Sequence, residues 1–311
     1  MRFMSAATAA ALITASLIVT GSTAQAQKAS DLVIETGNGV RHALMVPGGK
    51  GPRPTVIVLH GTFGSGAGAA ATTGFAEAAT RHGFTAVFPD GLARQWHAGK
   101  MAEPNSPDDI AFMHALVALL IADRAADPHR IYLAGISNGG MMSFALACKE
   151  ADLYAGIGTI IANMPADIEP CRPKPIPVVM VNGTADPVIP FAGGEIGRTS
   201  GRGKVWSVDQ TVALFARVDG CRSSKSAALP HRSGAEDTHV TRIDWSNCQA
   251  GTSVTLFRVE GGGHAQPGRH ARAAHALGPG NQDFIAADAI MDVFANDARQ
   301  QHVMDVRSGT R

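Results

Sequence analysis

The feature that most constrains the fold of this chain is a glycine-rich turn between an apolar run and a helical pattern. The turn is Gly135-Ile136-Ser137-Asn138-Gly139; the run RIYLA precedes it, and residues 138–149 have helical apolar spacing. A serine between a strand and a helix lies on a tight turn that lifts its hydroxyl out of the sheet and points the helix N-terminus at it. Such a pentapeptide also occurs by chance as an ordinary turn. The strand before it and the helix after it favour a nucleophile at Ser137.

Apolar, β-branched runs alternate with helical patterns along most of the chain. Strands are expected at Asp31–Glu35, Val40–Val46, Pro54–Leu59, Phe84–Phe88, Arg130–Ala134, Pro177–Val181 and Val254–Val259. Helices are expected at residues 108–126 and 138–149, at Val208–Val218 and at Asp283–Ala298. Continuous apolar runs are typical of strands buried on both faces, so the pattern predicts an α/β fold with a mostly parallel central sheet and helices on both faces.

The chain shows no break in composition that would divide it. We therefore expect one domain over residues 27–311, with an insertion at residues 192–252 and a frayed polar tail from about Gln300. The first two strands are joined by Gly37-Asn38-Gly39, a hairpin signal.

The N-terminus has the pattern of a secretory signal peptide. Met1-Arg2 gives a positive start, residues 6–20 are small or apolar without charge, and Ala24-Gln25-Ala26 is a small-x-small cleavage site. A membrane anchor is the alternative, but the run is short and diluted by Ser and Thr. We expect residues 1–26 to be removed and the chain to be secreted, either to the periplasm or to the extracellular space.

Four cysteines fall in the expected mature chain. An even count in an exported protein favours two disulfides, for which three connectivities are possible. We favour Cys148–Cys171 and Cys221–Cys248, because each closes a short local loop. The absence of a C-x-x-C pair argues against a zinc site.

A serine nucleophile needs a base, and in this kind of fold the chain order is Ser, acid, His. Asp186 follows a buried-type strand in the loop NGTADP, where its carboxylate can reach over the sheet edge. A loop Asp that makes a local turn is the alternative. The other acids considered are Asp167 and Asp219, neither of which follows a strand so directly.

The expected base is His264, which follows the strand ending at Val259 and the run Gly261-Gly262-Gly263. Three glycines predict a flexible, uncrowded loop that carries the ring to the serine. Asp186 would fix the tautomer of the imidazole and stabilise its charged form. Three other histidines, His239, His270 and His275, are expected on the surface.

The loop His60-Gly61-Thr62-Phe63-Gly64 follows the first buried strand, where a backbone N–H can complete an oxyanion hole. Thr62 is the expected donor and Phe63 the alternative, with the N–H of Asn138 as partner. His60 is expected to brace the loop. Phe63 and Trp96 are the candidate substrate-binding residues, although Trp96 could equally pack its own loop.

Three further patterns are given structural rather than functional roles. Asp108-Asp109 could be paired acids for glycoside hydrolysis, but at a helix start they are more simply cap and dipole partners. The sequon at Asn182 lies inside the acid loop and is discounted. With 27 basic and 26 acidic residues the formal charge is +1, which gives no long-range attraction to nucleic acid.

Taken together, these motifs resemble a known family. The chain is similar to the secreted α/β-hydrolase esterases grouped with polyhydroxybutyrate depolymerases, feruloyl esterases and acetyl xylan esterases, from about Asp31 to Phe294. The resemblance is carried by the His60-Gly61 loop, Pro89-Asp90-Gly91 with Trp96, Asp108-Asp109, GISNGGM (135–141), NGTADPVIPF (182–191), Cys221…Trp245…Cys248 and GGGH (261–264). It implies Ser137, Asp186 and His264 as a catalytic triad, and Cys pairs like those favoured above.

The chain departs from the family pattern at two places. The family usually has Cys and Gln after His-Gly, where this chain has Thr62-Phe63-Gly64, and Thr-Trp after the catalytic His, where it has Ala265-Gln266. Losing that Trp removes an aromatic wall beside the scissile bond.

The resemblance implies a serine esterase that acts on feruloyl or acetyl esters of plant polysaccharide and needs no metal or organic cofactor. Hydroxybutyrate polyester or its oligomers are the alternative substrate. A prolyl-oligopeptidase-like peptidase would need length for a propeller domain, and a non-catalytic binding protein would usually have lost a triad member. We expect an ester substrate, no nucleic acid partner and no membrane anchor, with the oligomeric state left open.

Overall fold

The computed structural model describes residues 28–37, 39–98, 108–168, 171–197, 202–232, 237–269 and 274–308. The expected signal peptide, Asn38 of the hairpin and His270 lie outside these residues. In the part of the chain that is described, no helix has the length and apolar character to cross a membrane.

Among the described residues, ten strands form one sheet and two short strands form a second. The strands are β1 Ser30–Thr36, β2 Gly39–Val46, β3 Arg53–Leu59, β4 Thr85–Pro89, β5 Ala126–Ile136, β6 Gly156–Ile160, β7 Val178–Gly183, β8 Gly194–Glu195, β9 Lys204–Val205, β10 Ser223–Ala228, β11 His239–Ser246 and β12 Val254–Glu260. The large sheet has the order β1-β2-β4-β3-β5-β6-β7-β12-β11-β10, and β8 pairs with β9. The pairs from β4 to β12 are parallel and the outer pairs are antiparallel.

Helices cover both faces of this sheet. They are α1 Gly66–Thr72, α2 Phe75–Arg81, α3 Asp109–Ala122, α4 Asn138–Lys149, α5 Val208–Val218, α6 Ala274–Leu277 and α7 Ala286–Ser308. Alternate residues of β3 divide between the two cores: Ile57 and Leu59 join the cluster that contains α3, α4 and α5, while Val56 and Val58 join the cluster that contains α2 and α7. All four are buried. The predicted fold class, a mostly parallel sheet with helices on both faces, is confirmed.

Two expectations about the chain's second half were wrong. The residues expected to be an insertion at 192–252 supply β10 and β11, which extend the large sheet beyond β12. The tail expected to fray from about Gln300 continues as helix α7 to Ser308.

Both disulfides join the cysteines that were predicted to pair across short local loops. Cys148, near the end of α4, pairs with Cys171, and Cys221 pairs with Cys248. The second disulfide lies just beyond the Ser223–Ser246 pair, at one end of the β10–β11 ribbon.

The fold brings several loops to one edge of the sheet. Because the carboxyl ends of parallel strands meet at the same edge, the loops after β3, β4, β5, β6, β7 and β12 converge there. The residues predicted as triad, oxyanion-hole and substrate-binding residues lie in these loops or at the start of α4.

Candidate active site

Ser137 lies on a strained turn between β5 and α4. Its backbone has φ +54° and ψ −118°, in the left-handed half of conformational space that a residue with a Cβ rarely adopts. Such a conformation costs on the order of 1–3 kcal/mol and persists only where the surroundings hold it. Here the Ser137 N–H donates to the Ile160 carbonyl at 2.9 Å. Gly139 allows the close approach, because a Cβ there would overlap the Leu59 carbonyl at the end of β3.

Ser137, His264 and Asp186 form a continuous chain of hydrogen bonds. The distance from His264 Nε2 to Ser137 Oγ is 2.9 Å, and that from His264 Nδ1 to Asp186 Oδ2 is 2.7 Å. A carboxylate can only accept, so the ring proton belongs on Nδ1 and Nε2 accepts from the serine hydroxyl. The Asp186 side chain is 2% exposed and that of His264 is 10% exposed. Nε2 is therefore the ring nitrogen that can accept the proton of the Ser137 hydroxyl.

The Asp186 carboxylate is oriented from behind by its own loop. Its Oδ1 accepts from the N–H groups of Val188 and Ile189 at 2.7 and 2.8 Å. These two bonds use one oxygen and leave Oδ2 for His264. The aspartate's local turn, weighed above as an alternative to the role of acid, is therefore present together with the contact to histidine.

The glycine loop before His264 is tightly packed, which corrects the expectation of a flexible and uncrowded loop. A Cβ at Gly263 would overlap the carbonyl of Leu277. The N–H of Gly263 donates to Pro279 O at 2.7 Å and that of His264 to Leu277 O at 2.5 Å. The glycines permit close backbone approach, and that approach holds the imidazole in place.

The loop after β3 leaves the backbone N–H of Thr62 without an acceptor among the described residues. The Phe63 N–H already donates to Arg94 O at 2.8 Å, so Phe63 is not the free donor. Asn138 supplies the first N–H of α4, which lacks an intrahelical partner. The side chain of Phe63 is exposed, with 73% of the residue's surface accessible.

His60 braces this loop from inside. Its Nε2 accepts from the Gly91 N–H at 3.0 Å, and its Nδ1 lies 2.8 Å from Gly61 O, so the proton belongs on Nδ1. Burial lowers the pKa of His60 below its ordinary value, which keeps the ring neutral in this double contact.

Trp96 does not line an open surface, and its prediction as a substrate-binding residue is wrong in this structure. The residue is 3% exposed. Its Nε1–H donates to His60 O at 3.0 Å, and its ring stacks on Phe112 with a centroid distance of 6.4 Å. A large indole with a satisfied N–H in the core is a packing residue, so the packing alternative applies.

Sequence reasoning missed the polar groups that surround the site. The Asn138 side chain bonds the backbone of Trp96, and Arg94 bonds the backbone of the Thr62 loop. The buried Arg41 guanidinium contacts Asp109 Oδ1 at 2.9 Å. Asp109 is thus one half of a buried ion pair, while Asp108 caps α3 as expected. No local motif signals these pairs, because their partners are distant in sequence.

The remaining candidates lie away from the triad. Asp219 is buried at the end of α5, and His239 packs its ring against that of His231. Asn182 of the sequon is 3% exposed, and its side-chain amide donates to Ala162 O and Asn163 Oδ1. Gln266 donates to Thr73 O at 2.7 Å. Within the described residues no group of three or more His, Cys, Asp or Glu side chains is arranged to hold a metal ion.

The sheet order, the strained serine after β5, the aspartate after β7 and the histidine after β12 together define an α/β-hydrolase. A solved structure of a thermostable esterase shares the fold, with a TM-score of 0.51, 13% identity and coverage of 89% of this chain and 62% of that one. The profile of the family described as Esterase PHB depolymerase matches residues 40–167.

Two relatives among curated proteins extend this match. The protein named as esterase NocK from Nocardia uniformis subsp. tsuyamanensis is 31% identical over 70% of this chain and 66% of its own length. Feruloyl esterase B of Piromyces equi is 27% identical over 68% of this chain and 40% of its own length. The chain is therefore similar to this esterase family over residues 40–167 and to both relatives over about two thirds of its own length. It spans less than two thirds of the length of either relative.

Proposed function

We propose that this chain hydrolyses carboxylic esters by covalent catalysis at Ser137. The observation that carries the proposal is the hydrogen-bond chain from Asp186 through His264 to Ser137 Oγ, at 2.7 and 2.9 Å. A serine hydroxyl is a weak nucleophile until a base accepts its proton, and an imidazole held in one tautomer by a carboxylate is such a base.

The reaction has two halves. Ser137 Oγ attacks the ester carbonyl while its proton passes to His264 Nε2. The N–H groups of Thr62 and Asn138 stabilise the tetrahedral oxyanion, and the leaving alcohol takes the proton from Nε2 as its C–O bond breaks. Water then gives a proton to Nε2 and attacks the acyl-enzyme. As the bond between the acyl carbon and Ser137 Oγ breaks, Nε2 returns that proton to Oγ and the acid is released. Asp186 stabilises the imidazolium in both halves.

Feruloyl or acetyl esters of plant polysaccharide are the substrates we propose. The support is the similarity to a protein named as a feruloyl esterase and the exposed Phe63 ring in the loop after β3. Hydroxybutyrate polyester or its oligomers are the second candidate, because the matching family is described as a polyhydroxybutyrate depolymerase.

We further propose that the chain is secreted after loss of residues 1–26 and acts as one domain over residues 27–311. The two disulfides support an oxidising compartment. Expression of the full chain, followed by N-terminal sequencing of the exported protein, tests this: a mature start at Gln27 is expected, and retention of Met1 would overturn it.

The reaction itself is tested with methyl ferulate, an acetylated xylo-oligosaccharide and a hydroxybutyrate trimer in parallel. Release of ferulate or acetate that is abolished in Ser137→Ala supports the plant-ester substrates. Release of hydroxybutyrate alone would move the proposal to polyester. Unchanged turnover in Ser137→Ala would remove Ser137 from the mechanism.

A covalent probe tests the nucleophile without a choice of substrate. A fluorophosphonate should label wild-type protein at one peptide, which mass spectrometry should map to Ser137. His264→Ala should label at least about a hundredfold more slowly, because it loses the base. The label mapping to another serine would contradict the mechanism, and no labelling would favour a non-catalytic protein.

A further inference from the structure

The loop of residues 91–97 contacts both halves of the oxyanion hole proposed above. It follows β4 and touches Asn138, at the start of α4, through Trp96. It touches the loop that carries Thr62 through Arg94. We name residues 91–97 the bridging loop.

The first contact is a two-point pairing of a side-chain amide with backbone. Asn138 Oδ1 accepts from the Trp96 N–H at 2.6 Å, and Asn138 Nδ2 donates to Trp96 O at 2.8 Å. Two bonds from one planar amide fix its rotation as well as its position. Asn138, whose backbone N–H is one of the two proposed oxyanion donors, is therefore tied by its own side chain to the bridging loop.

The second contact clamps the loop after β3. The Phe63 N–H donates to Arg94 O at 2.8 Å, Arg94 Nε donates to Gly64 O at 3.3 Å, and Arg94 Nη2 donates to Phe63 O. Phe63, the residue that follows Thr62, is thus held at both its N–H and its C=O. No other side chain in the described part of the molecule bonds the backbone of Phe63.

The bridging loop is itself fixed to the interior. Gly91 N–H donates to His60 Nε2 at 3.0 Å, and the Trp96 indole donates to His60 O at 3.0 Å. His97 N–H donates to Asp109 Oδ2 at 2.8 Å, and Asp109 is held by the buried Arg41. The loop therefore forms a rigid connection between the ends of β3 and α4.

Backbone strain is concentrated at the same contacts. Phe63, Ala93 and Arg94 have φ of +64°, +49° and +60°. Residues with a Cβ remain in this region only where surrounding contacts hold them, and such strain clusters at functional sites. The loop after β3 would be free to relax without the clamp, and Thr62 would move with it.

We propose that Asn138 and Arg94 are positioning residues whose side chains, through the bridging loop, set the separation of the Thr62 and Asn138 N–H donors. The inference rests on the proposed ester hydrolysis. Neither side chain touches the reacting atoms in this scheme; each acts through a backbone donor. An oxyanion hole works only when both donors are fixed before the charge develops, so loosening either contact weakens transition-state binding and spares ground-state binding.

The test uses Asn138→Ala and Arg94→Ala in the full chain, with Gln95→Ala as the matched control. Gln95 lies in the same loop, and its exposed side chain makes no hydrogen bond to the described residues. The substrates are p-nitrophenyl acetate and its thiono analogue, in which sulfur replaces the carbonyl oxygen. Sulfur accepts hydrogen bonds poorly, so the thiono ester depends little on the two donors.

Each positioning variant should lose about 10- to 100-fold in kcat on the oxygen ester, with KM and the thiono rate within about threefold of wild type. The double variant should lose little more than the worse single variant, because both act on one separation. The pH profile should be unchanged, since the contact between His264 and Asp186 is intact. Thermal unfolding of each variant measures whether it is folded, and Arg94, being exposed, keeps the test valid if Asn138→Ala unfolds.

Equal losses on the two substrates would overturn the inference and leave ester hydrolysis standing, because the damage would then lie in the triad or in folding. Wild-type rates in both positioning variants would overturn it as well. Absence of turnover by the wild-type protein, or turnover retained in Ser137→Ala, would overturn the proposed function and this inference together.

Discussion

The strain at Ser137 predicts that a glycine there stabilises the protein while abolishing its chemistry. The backbone at φ +54° and ψ −118° is one that glycine adopts without steric cost. Ser137→Gly and Ser137→Ala both lose the hydroxyl and its bond to His264, so their difference isolates the backbone.

The magnitude follows from two opposing effects. Relief of strain stabilises the glycine variant by on the order of 1–3 kcal/mol. The greater freedom of glycine in the unfolded chain costs roughly 0.5–1 kcal/mol. We expect Ser137→Gly to exceed Ser137→Ala by about 1 kcal/mol in free energy of unfolding, which corresponds to roughly 2–4 °C in Tm for a chain of this size.

The assay is urea unfolding followed by circular dichroism, with the disulfides kept oxidised. The control repeats the Gly and Ala pair at Ser143, inside α4, where the helical backbone gives glycine no advantage. At this position the order of stability should reverse: the free energy of unfolding of Ser143→Gly should be lower than that of Ser143→Ala by roughly 0.5–1 kcal/mol. A Ser137→Gly variant no more stable than Ser137→Ala would refute the reasoning that the turn at Ser137 stores strain.

Three further predictions concern residues away from the triad. Asp109→Ala should destabilise the fold by about 3–5 kcal/mol in chemical unfolding, because it leaves Arg41 buried and unpaired; a loss below about 1 kcal/mol would contradict this. Phe294→Ala opens a cavity beside Tyr132 and should lower the free energy of unfolding by about 3–5 kcal/mol in the same chemical unfolding measurement. An unchanged free energy of unfolding would contradict this. Burial raises the pKa of Asp219 to about 6, so the native state holds this proton more tightly than the unfolded chain, and the contribution of Asp219 to stability should fall as pH rises from about 4 to about 6. Asp219→Asn should therefore match wild type below about pH 4 and exceed it by about 1–3 kcal/mol at pH 7; parallel stability curves would contradict the assignment.

The arrangement of the candidate site at one edge of the sheet was predictable because Ser137, Asp186 and His264 each follow a recognisable strand. Ser137, Asp186 and His264 come after β5, β7 and β12, whose apolar runs are buried on both faces. In a parallel sheet such positions meet at one edge whatever the intervening chain does. The order of residues along the chain was therefore enough to bring them together.

Other elements depend on contacts that the sequence does not express locally. Strand β6 was missed because Gly156 and Gly158 weaken its pattern; a Cβ at Gly158 would overlap Ile290 of α7, a constraint visible only in the packed structure. The second half of α7 carries too few buried residues to give a helical period. The sequence could not decide whether Trp96 lines a substrate pocket or packs its own loop. The burial of the indole and its bond to His60 O show that it packs the loop.

The outer strand β10 has a consequence for how copies of this protein meet one another. Every residue of β10 is exposed, and within the part of the chain that the structure describes this strand pairs only with β11 in the large sheet. An exposed edge strand of this kind is a template to which a second chain can add a strand, and aggregation can begin there. Lys225 puts a charge in the ladder, and the disulfide Cys221–Cys248 holds the ribbon in register at one end. Cleaving that disulfide should therefore appear first as turbidity at high protein concentration, before any change in the rate of catalysis.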